Sequence, residues 1–117
     1  MSDRELLELA AKAAGLEFMW EEFRYSGLAL EGRPRARVSG DMAFTLWNPL
    51  TDDGDALRLA AKLLITVGDD AQSVRSMAFA YSRHNDLLRQ YEPSQNDPAA
   101  AYRRAIVRAA AEIGRTM

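Results

Sequence analysis

The chain has 117 residues, a formal net charge of −2, one histidine and no cysteine. This length is typical of one domain, and with 48% hydrophobic residues a single core can form across residues 1–117. The composition excludes disulfides, thiolate metal sites and histidine-rich zinc sites. The slight acidic excess argues against a dedicated nucleic-acid-binding protein, which usually carries a basic excess.

The first helix is predicted at about residues 3–14 from its caps and its hydrophobic spacing. Ser2 and Glu5 have the spacing of a capping box, in which two side chains satisfy free amide donors at a helix start. Gly15 fits the position just after the helix, where a left-handed backbone conformation favours glycine. Apolar residues at three- and four-residue steps form the buried face: Leu6, Leu9, Ala10, Ala13 and Ala14.

Strands are predicted next, in the aromatic segment LEFMWEEFRYSGLALEG. Its roughly alternating pattern places Phe18 and Trp20 on one side, Ser26-Gly27 forms a turn or bulge, and LALE is the returning strand. The segment EGRPRARVSGD has two glycines, a proline and three alternating arginines. We interpret it as an exposed loop at residues 31–41. A short strand, AFTLW, follows it.

The second half of the chain is predicted to contain two helices with strands between them. Helix 2 lies at about residues 53–63 from the apolar spacing in DALRLAAKLL. LITVGDD and SVRSMAFAYS form two strands around a Gly-Asp-Asp turn, whereas residues 82–96 are ambiguous apart from a short strand, LLRQY. Helix 3 starts at Asp97 and Pro98, and Gly114 is its predicted stop. Its buried face comprises Tyr102, Ile106, Ala109, Ala110 and Ile113.

The order of these elements predicts an α+β domain. Short connections between consecutive strands favour antiparallel pairing. We therefore expect three helices packed on a mostly antiparallel sheet of four to six strands. Edge strands of so small a sheet also make a homodimer an open alternative.

The segment WNPLTDDGDALRL, residues 47–59, has the features of a helix start. Pro49 restricts Asn48 to extended geometry and favours a turn. Thr51, Asp52 or Asp53 can cap helix 2, and acidic side chains are stabilised near the positive end of the helix dipole.

Two functional interpretations of this segment stay open. The carboxylates of Asp52, Asp53 and Asp55 form a candidate cation site, as in a metal-dependent enzyme. The EF-hand spacing is not met, because Leu63 stands at the twelfth position counted from Asp52. The other interpretation is a recognition surface for a protein partner, since a tryptophan beside a polar turn is typical of interaction hot spots. Its residues are Trp47, Asn48, Pro49, Asp52 and Asp53.

Two groups of arginines are candidate phosphate contacts for a nucleic-acid-associated protein: Arg33, Arg35 and Arg37, and then Arg104, Arg108 and Arg115. The second group falls on one side of helix 3. We favour a solvated helix face with cations near its carboxyl end, because the chain is acidic overall. His84 lies among polar residues, and a surface position is favoured over a catalytic one.

Three blocks of the sequence resemble a known family: DRELLELAAKAAGLEF, WNPLTDDGDALRLAAKL and DPAAAYRRAIVRAAAEIG. They cover about half the chain, in the family's order, and are similar to the uncharacterised phage and prophage proteins of the phage ABA sandwich domain family. The resemblance implies an alpha-beta-alpha type sandwich encoded on a phage or an integrated prophage. It implies no catalytic residue.

The resemblance, together with the absence of a catalytic constellation, predicts an accessory protein without enzymatic activity or cofactor. Its partner would be another protein, with nucleic acid as the less favoured alternative. No apolar run reaches the length of a membrane helix, and the acidic start differs from a secretory signal. We therefore expect action in the bacterial cytoplasm, away from membranes.

Overall fold

A computed structural model describes residues 1–22, 24–25, 28–29, 32–70, 76–83 and 85–117, with the backbone alone at 24–25, 28–29 and 85–87. Within these ranges the helices are α1 (Asp3–Ala13), α2 (Asp53–Leu63) and α3 (Pro98–Arg115). The strands are β1 (Leu16–Glu21), β2 (Arg24–Tyr25), β3 (Leu28–Ala29), β4 (Arg33–Val38), β5 (Thr45–Leu46), β6 (Ile65–Asp70), β7 (Met77–Ser82) and β8 (Asn85–Pro93).

The predicted α+β class is confirmed. In the described ranges the strands form two three-stranded antiparallel sheets, β1-β4-β5 and β6-β7-β8, together with the short β2-β3 pair. The division into two sheets differs from the single sheet that we expected. Helix α3 occupies the centre, packed on all three strands of the second sheet and on both other helices, while α1 also packs on β1.

The predicted helix starts are confirmed by their caps. Ser2 Oγ accepts from the Glu5 amide at 3.2 Å, and an Asp97 carboxylate oxygen accepts from the Ala100 amide at 3.1 Å. Of the three candidates for α2, Asp52 is the cap. Gly15 follows α1 with a φ of 69°, as its predicted position requires.

Helix α2 ends without a glycine, at Leu64. Its φ of 55° places it in the left-handed region, which leucine adopts at a cost in free energy. The chain passes directly from this residue into β6. Among the residues described, none of the helices combines the length and hydrophobicity that a membrane crossing requires.

Small side chains let α1 and α3 approach closely. Ala10 and Ala105 are completely buried, as are neighbouring alanines of both helices. A Cβ placed on Gly114 would lie 2.1 Å from the carbonyl oxygen of Leu9. The prediction of Gly114 as a helix stop is therefore wrong, because α3 continues to Arg115 and the glycine serves the contact between helices.

The prediction of an exposed loop at residues 31–41 is also wrong. Residues 33–38 form β4, the central strand of the first sheet, and pair with β1 over its whole length. Alternation along the strand directs the arginines to one face and buries Ala36 on the other. In an antiparallel strand, the amide and the carbonyl of one residue point to the same neighbouring strand. Pro34 O accepts from Trp47 N at 3.0 Å, so this residue points towards β5. The missing amide hydrogen of Pro34 therefore costs no hydrogen bond with β1.

In the second sheet the prediction of a turn at residues 68–70 is wrong. Asp69 and Asp70 lie within β6, where an Asp69 carboxylate oxygen accepts from Ser94 Oγ at 2.8 Å. The ambiguous stretch contains β8, which is longer than the strand predicted at LLRQY. The predictions for Ser26-Gly27, His84 and the first residues of SVRSMAFAYS lie outside the described residues.

Candidate functional site

The segment 47–55 folds into a compact turn that leads into α2. Asn48 organises it: its carbonyl accepts from the amides of Thr51 and Asp52, and its side-chain oxygen accepts from the Leu50 amide at 3.0 Å. Pro49 fixes the backbone at the first bend. The local sequence therefore supplies most of the hydrogen bonds that this turn needs.

The acidic side chains of the segment have separate structural partners. Asp52 accepts from the Asp55 amide at 2.8 Å, and Asp55 accepts from the Asn48 amide at 3.0 Å and from Arg58 at 2.7 Å. Asp53 pairs with Arg103 at 2.6 Å. Across the described ranges, no group of three or more acidic or histidine side chains is placed to hold a metal ion.

The apolar residues of the segment belong partly to the core. Trp47 is half-buried and meets Phe18 edge-to-face, with ring centroids 5.9 Å apart. The Pro49 side chain is fully buried and so offers no surface to a partner. Of the predicted recognition residues, Asp52 and Asp53 are exposed, and Trp47 and Asn48 are partly so.

A cleft of about 420 Å³ opens beside Trp47, between α2 and the inner face of β4 and β5. We name it the Trp47 cleft. Leu16, Ala36 and Leu59 contribute to its apolar lining, and Asp41, Arg58 and Lys62 bring charge to it.

Large apolar side chains remain in solvent at the Trp47 cleft. Val38 is 53% exposed and Leu46 is 56% exposed. Met42, in the neighbouring loop, is 99% exposed. A role for Val38 was not predicted from the sequence, because the residue was assigned to a loop. The alternation of Pro34, Ala36 and Val38 with arginines was nevertheless a signal for a strand.

The arginines of β4 lie beside acidic residues of β1. Arg35 pairs with Glu21, and Arg37 pairs with Glu17 at 2.5 Å. The side chain of Arg37 also lies over the Phe44 ring, 4.4 Å from its centroid. Arg33 is exposed and stands opposite Glu21 in the strand register. On this face of the first sheet, two glutamates therefore stand beside three arginines.

The arginines of α3 are likewise paired with carboxylates. Arg104 contacts Asp3 at 2.9 Å and Glu92 at 3.6 Å, and Arg108 contacts Glu92 at 2.5 Å. Arg115 pairs with Glu112 at 2.7 Å within the helix. Of the predicted phosphate contacts, five are thus paired with carboxylates: Arg35, Arg37, Arg104, Arg108 and Arg115.

The second sheet carries aromatic side chains on the face turned away from α3. We name this surface the aromatic sheet face and define it by Phe79, Tyr81, Arg89 and Tyr91. The Phe79 and Tyr81 rings are nearly parallel, at 19°, with centroids 6.0 Å apart. The Arg89 guanidinium lies 4.3 Å from the Tyr81 centroid and 5.3 Å from that of Phe79.

Tyr91 extends the aromatic sheet face onto β8, where it pairs in register with Phe79 and is 46% exposed. The sequence signal for this surface was the alternation of small and aromatic residues in MAFAYS. Ala78, Ala80 and Ser82 are buried, so the aromatic residues between them lie on the opposite face of the strand. No function was predicted from the sequence for Phe79 or Tyr81.

The comparisons with known proteins identify no relative: no protein-family model, curated protein or solved structure matches this chain. The similarity of its three sequence blocks to the phage ABA sandwich domain family stays a prediction.

Proposed function

We propose that this chain is a phage or prophage accessory protein that acts in the bacterial cytoplasm by binding another protein at the Trp47 cleft. The observation that carries the proposal is the exposure of Val38 and Leu46 where both line the cleft next to a half-buried tryptophan. Burying such side chains against a partner releases about 25 cal/mol for each Å² of apolar surface removed from water.

The chemistry of the Trp47 cleft favours a partner that inserts an apolar side chain. Trp47 supplies a large, well-anchored ring, because Phe18 fixes one side of it and the backbone of Pro34 holds its amide. Preorganised aromatic residues of this kind dominate the affinity of many protein interfaces. Arg58 and Lys62 add polar contacts at the cleft, where electrostatic complementarity raises the association rate.

The acidic residues of this region make structural contacts, which favours a binding role over a metal-dependent reaction. The carboxylates of Asp52 and Asp55 hold the start of α2, and that of Asp53 ties α2 to α3. A metal ion at these residues would compete with those contacts for the carboxylate oxygens. We therefore place the function in the apolar cleft and not in the acidic turn.

The proposal is tested by affinity capture from bacterial lysate with a Leu46→Asp variant beside the natural chain. Leu57→Asp is the matched control, because Leu57 is 68% exposed on α2 and does not line the Trp47 cleft. We expect one protein to be retained by the natural chain and by Leu57→Asp, to persist after nuclease treatment, and to be lost with Leu46→Asp. Equal capture by all three chains would contradict the proposal.

A further inference from the structure

We propose that the aromatic sheet face binds single-stranded nucleic acid. This surface is distinct from the Trp47 cleft, and the inference does not depend on the proposed protein partner. Its basis is a group of neighbouring aromatic side chains, two with nearly parallel rings under the Arg89 guanidinium, beside cations that make no ion pair within the described residues.

The rings form a platform because β6 leaves room for them. Phe79 lies directly opposite Gly68, and a Cβ placed on that glycine would come within 2.9 Å of Phe79 Cζ. The Phe79 ring therefore lies across β6 and not upright on the sheet. Bases of a single strand stack on such rings, and the stacking tolerates different sequences because every base has a π face.

The charge distribution supports an anionic ligand at this face. Five of the predicted phosphate contacts are paired with carboxylates: Arg35, Arg37, Arg104, Arg108 and Arg115. In contrast, Arg89 makes contacts with aromatic rings and no ion pair among the described side chains. Arg83 follows β7 immediately, is exposed, and makes no ion pair in the described ranges. Asp70 lies at the opposite end of the face, beside Met77.

Nucleic acid fits these features better than a protein partner does. An apolar protein surface would have to bury the guanidinium of Arg89, and burying a charge without a partner is costly. A phosphate backbone supplies negative charge to Arg89 and Arg83, while unpaired bases supply planar groups for the rings. A duplex would present its phosphates but not its base faces, so a single strand is the expected form.

Binding is tested by fluorescence anisotropy with a labelled oligothymidine of about twelve nucleotides, close to the span of such sites. We expect the natural chain to bind it, to bind the matching duplex more weakly, and to lose affinity as salt rises. Tyr91→Ala should lower the affinity about tenfold by removing one stacking ring, whereas Tyr91→Phe should retain it. Circular dichroism of each variant confirms that it is folded.

The charge contribution is tested with Arg89→Gln, using Arg115→Gln as the matched control. Arg115 is 60% exposed on α3, so the control removes the same charge on another element. We expect weaker binding and a smaller salt dependence for Arg89→Gln alone. No binding by the natural chain, equal binding by both arginine variants, or equal affinity for the duplex would overturn the proposal. Leu46→Asp should bind the oligonucleotide normally, which separates this result from the test of the Trp47 cleft.

Discussion

At the scale of single residues, the Asp55 carboxylate connects the strand before the turn to the helix after it. It accepts hydrogen bonds from the Asn48 amide and from Arg58, and its side chain is only 13% exposed. Asp55→Ala should lower the free energy of unfolding by about 1–3 kcal/mol, because the Asn48 amide would lose its acceptor in a partly buried position. Urea denaturation followed by circular dichroism measures this loss.

The control for Asp55 is Asp53→Ala. The Asp53 side chain is 76% exposed and forms its ion pair with Arg103 near solvent, so its removal should cost about 0–1 kcal/mol. Asp55→Asn keeps an acceptor for the Asn48 amide and should be more stable than Asp55→Ala. Equal stabilities of Asp55→Ala and Asp53→Ala would show that the turn does not depend on this hydrogen bond.

Local sequence predicted the helix caps, because each cap involves residues only a few positions apart. Ser2, Gly15 and Asp97 all have the predicted roles. The role of Asp55 was not predicted, since its Asn48 contact depends on how the turn folds back. The role of Arg103, whose Nε donates to Leu50 O at 3.0 Å, depends on a contact 53 residues away along the chain.

At the scale of elements, Gly114 sets the distance between α1 and α3. An added methyl group would meet the Leu9 carbonyl oxygen at 2.1 Å and the carbonyl carbon at 2.9 Å, and both are backbone atoms. Gly114→Ala should therefore destabilise the protein by about 1–3 kcal/mol or more, although alanine favours helix formation. Thermal denaturation compares this variant with the natural chain.

Gly54→Ala is the control for Gly114, since Gly54 also lies inside a helix. The atoms nearest to its added methyl group, at 3.2 Å, are the end of the Arg58 side chain, which can move aside, and the carboxylate oxygen of Asp52 that caps α2. We expect a change within about 1 kcal/mol, because the gain in helix propensity offsets this adjustment. A Gly114→Ala variant as stable as Gly54→Ala would contradict the close approach of α1 and α3.

The first sheet shows why element prediction succeeded for helices and failed for β4. The helices have hydrophobic residues at regular spacing and clear caps, whereas β4 contains three arginines and Pro34. Its stability comes from β1, which supplies a complete ladder and the acidic partners of Arg35 and Arg37. That information is located elsewhere in the chain, so the segment looked like a loop when considered alone.

At the scale of the whole molecule, sequence predicted the fold class better than it predicted the surfaces. The order of helices and strands was sufficient for an α+β domain with antiparallel strands. The two-sheet arrangement leaves the aromatic sheet face open and forms the Trp47 cleft where α2 meets β4 and β5. The Trp47 cleft combines residues from distant segments, so it could not be identified from spacing along the chain. The aromatic sheet face lies on two consecutive strands, and the alternation in MAFAYS was its signal.

Acidic residues connect the elements of the whole molecule, which leads to a prediction about metal ions. Asp3 links α1 to α3, Glu92 links β8 to α3, and Asp53 links α2 to α3. Because these carboxylates have cationic partners, we expect calcium, magnesium and manganese to leave the melting temperature unchanged. Differential scanning calorimetry measures the melting temperature with each ion, and a sample with a chelator is the control.

A specific metal site would give a clearly different result. An ion present at a hundredfold excess over its dissociation constant would add about 2.7 kcal/mol to the free energy of unfolding and raise the melting temperature by several degrees. Asp52→Asn would then identify the site, since it removes one carboxylate charge while keeping an oxygen acceptor for the Asp55 amide. A metal-dependent rise that disappears in this variant would assign a cation to the acidic turn, and would argue against our view that these carboxylates act only in the fold.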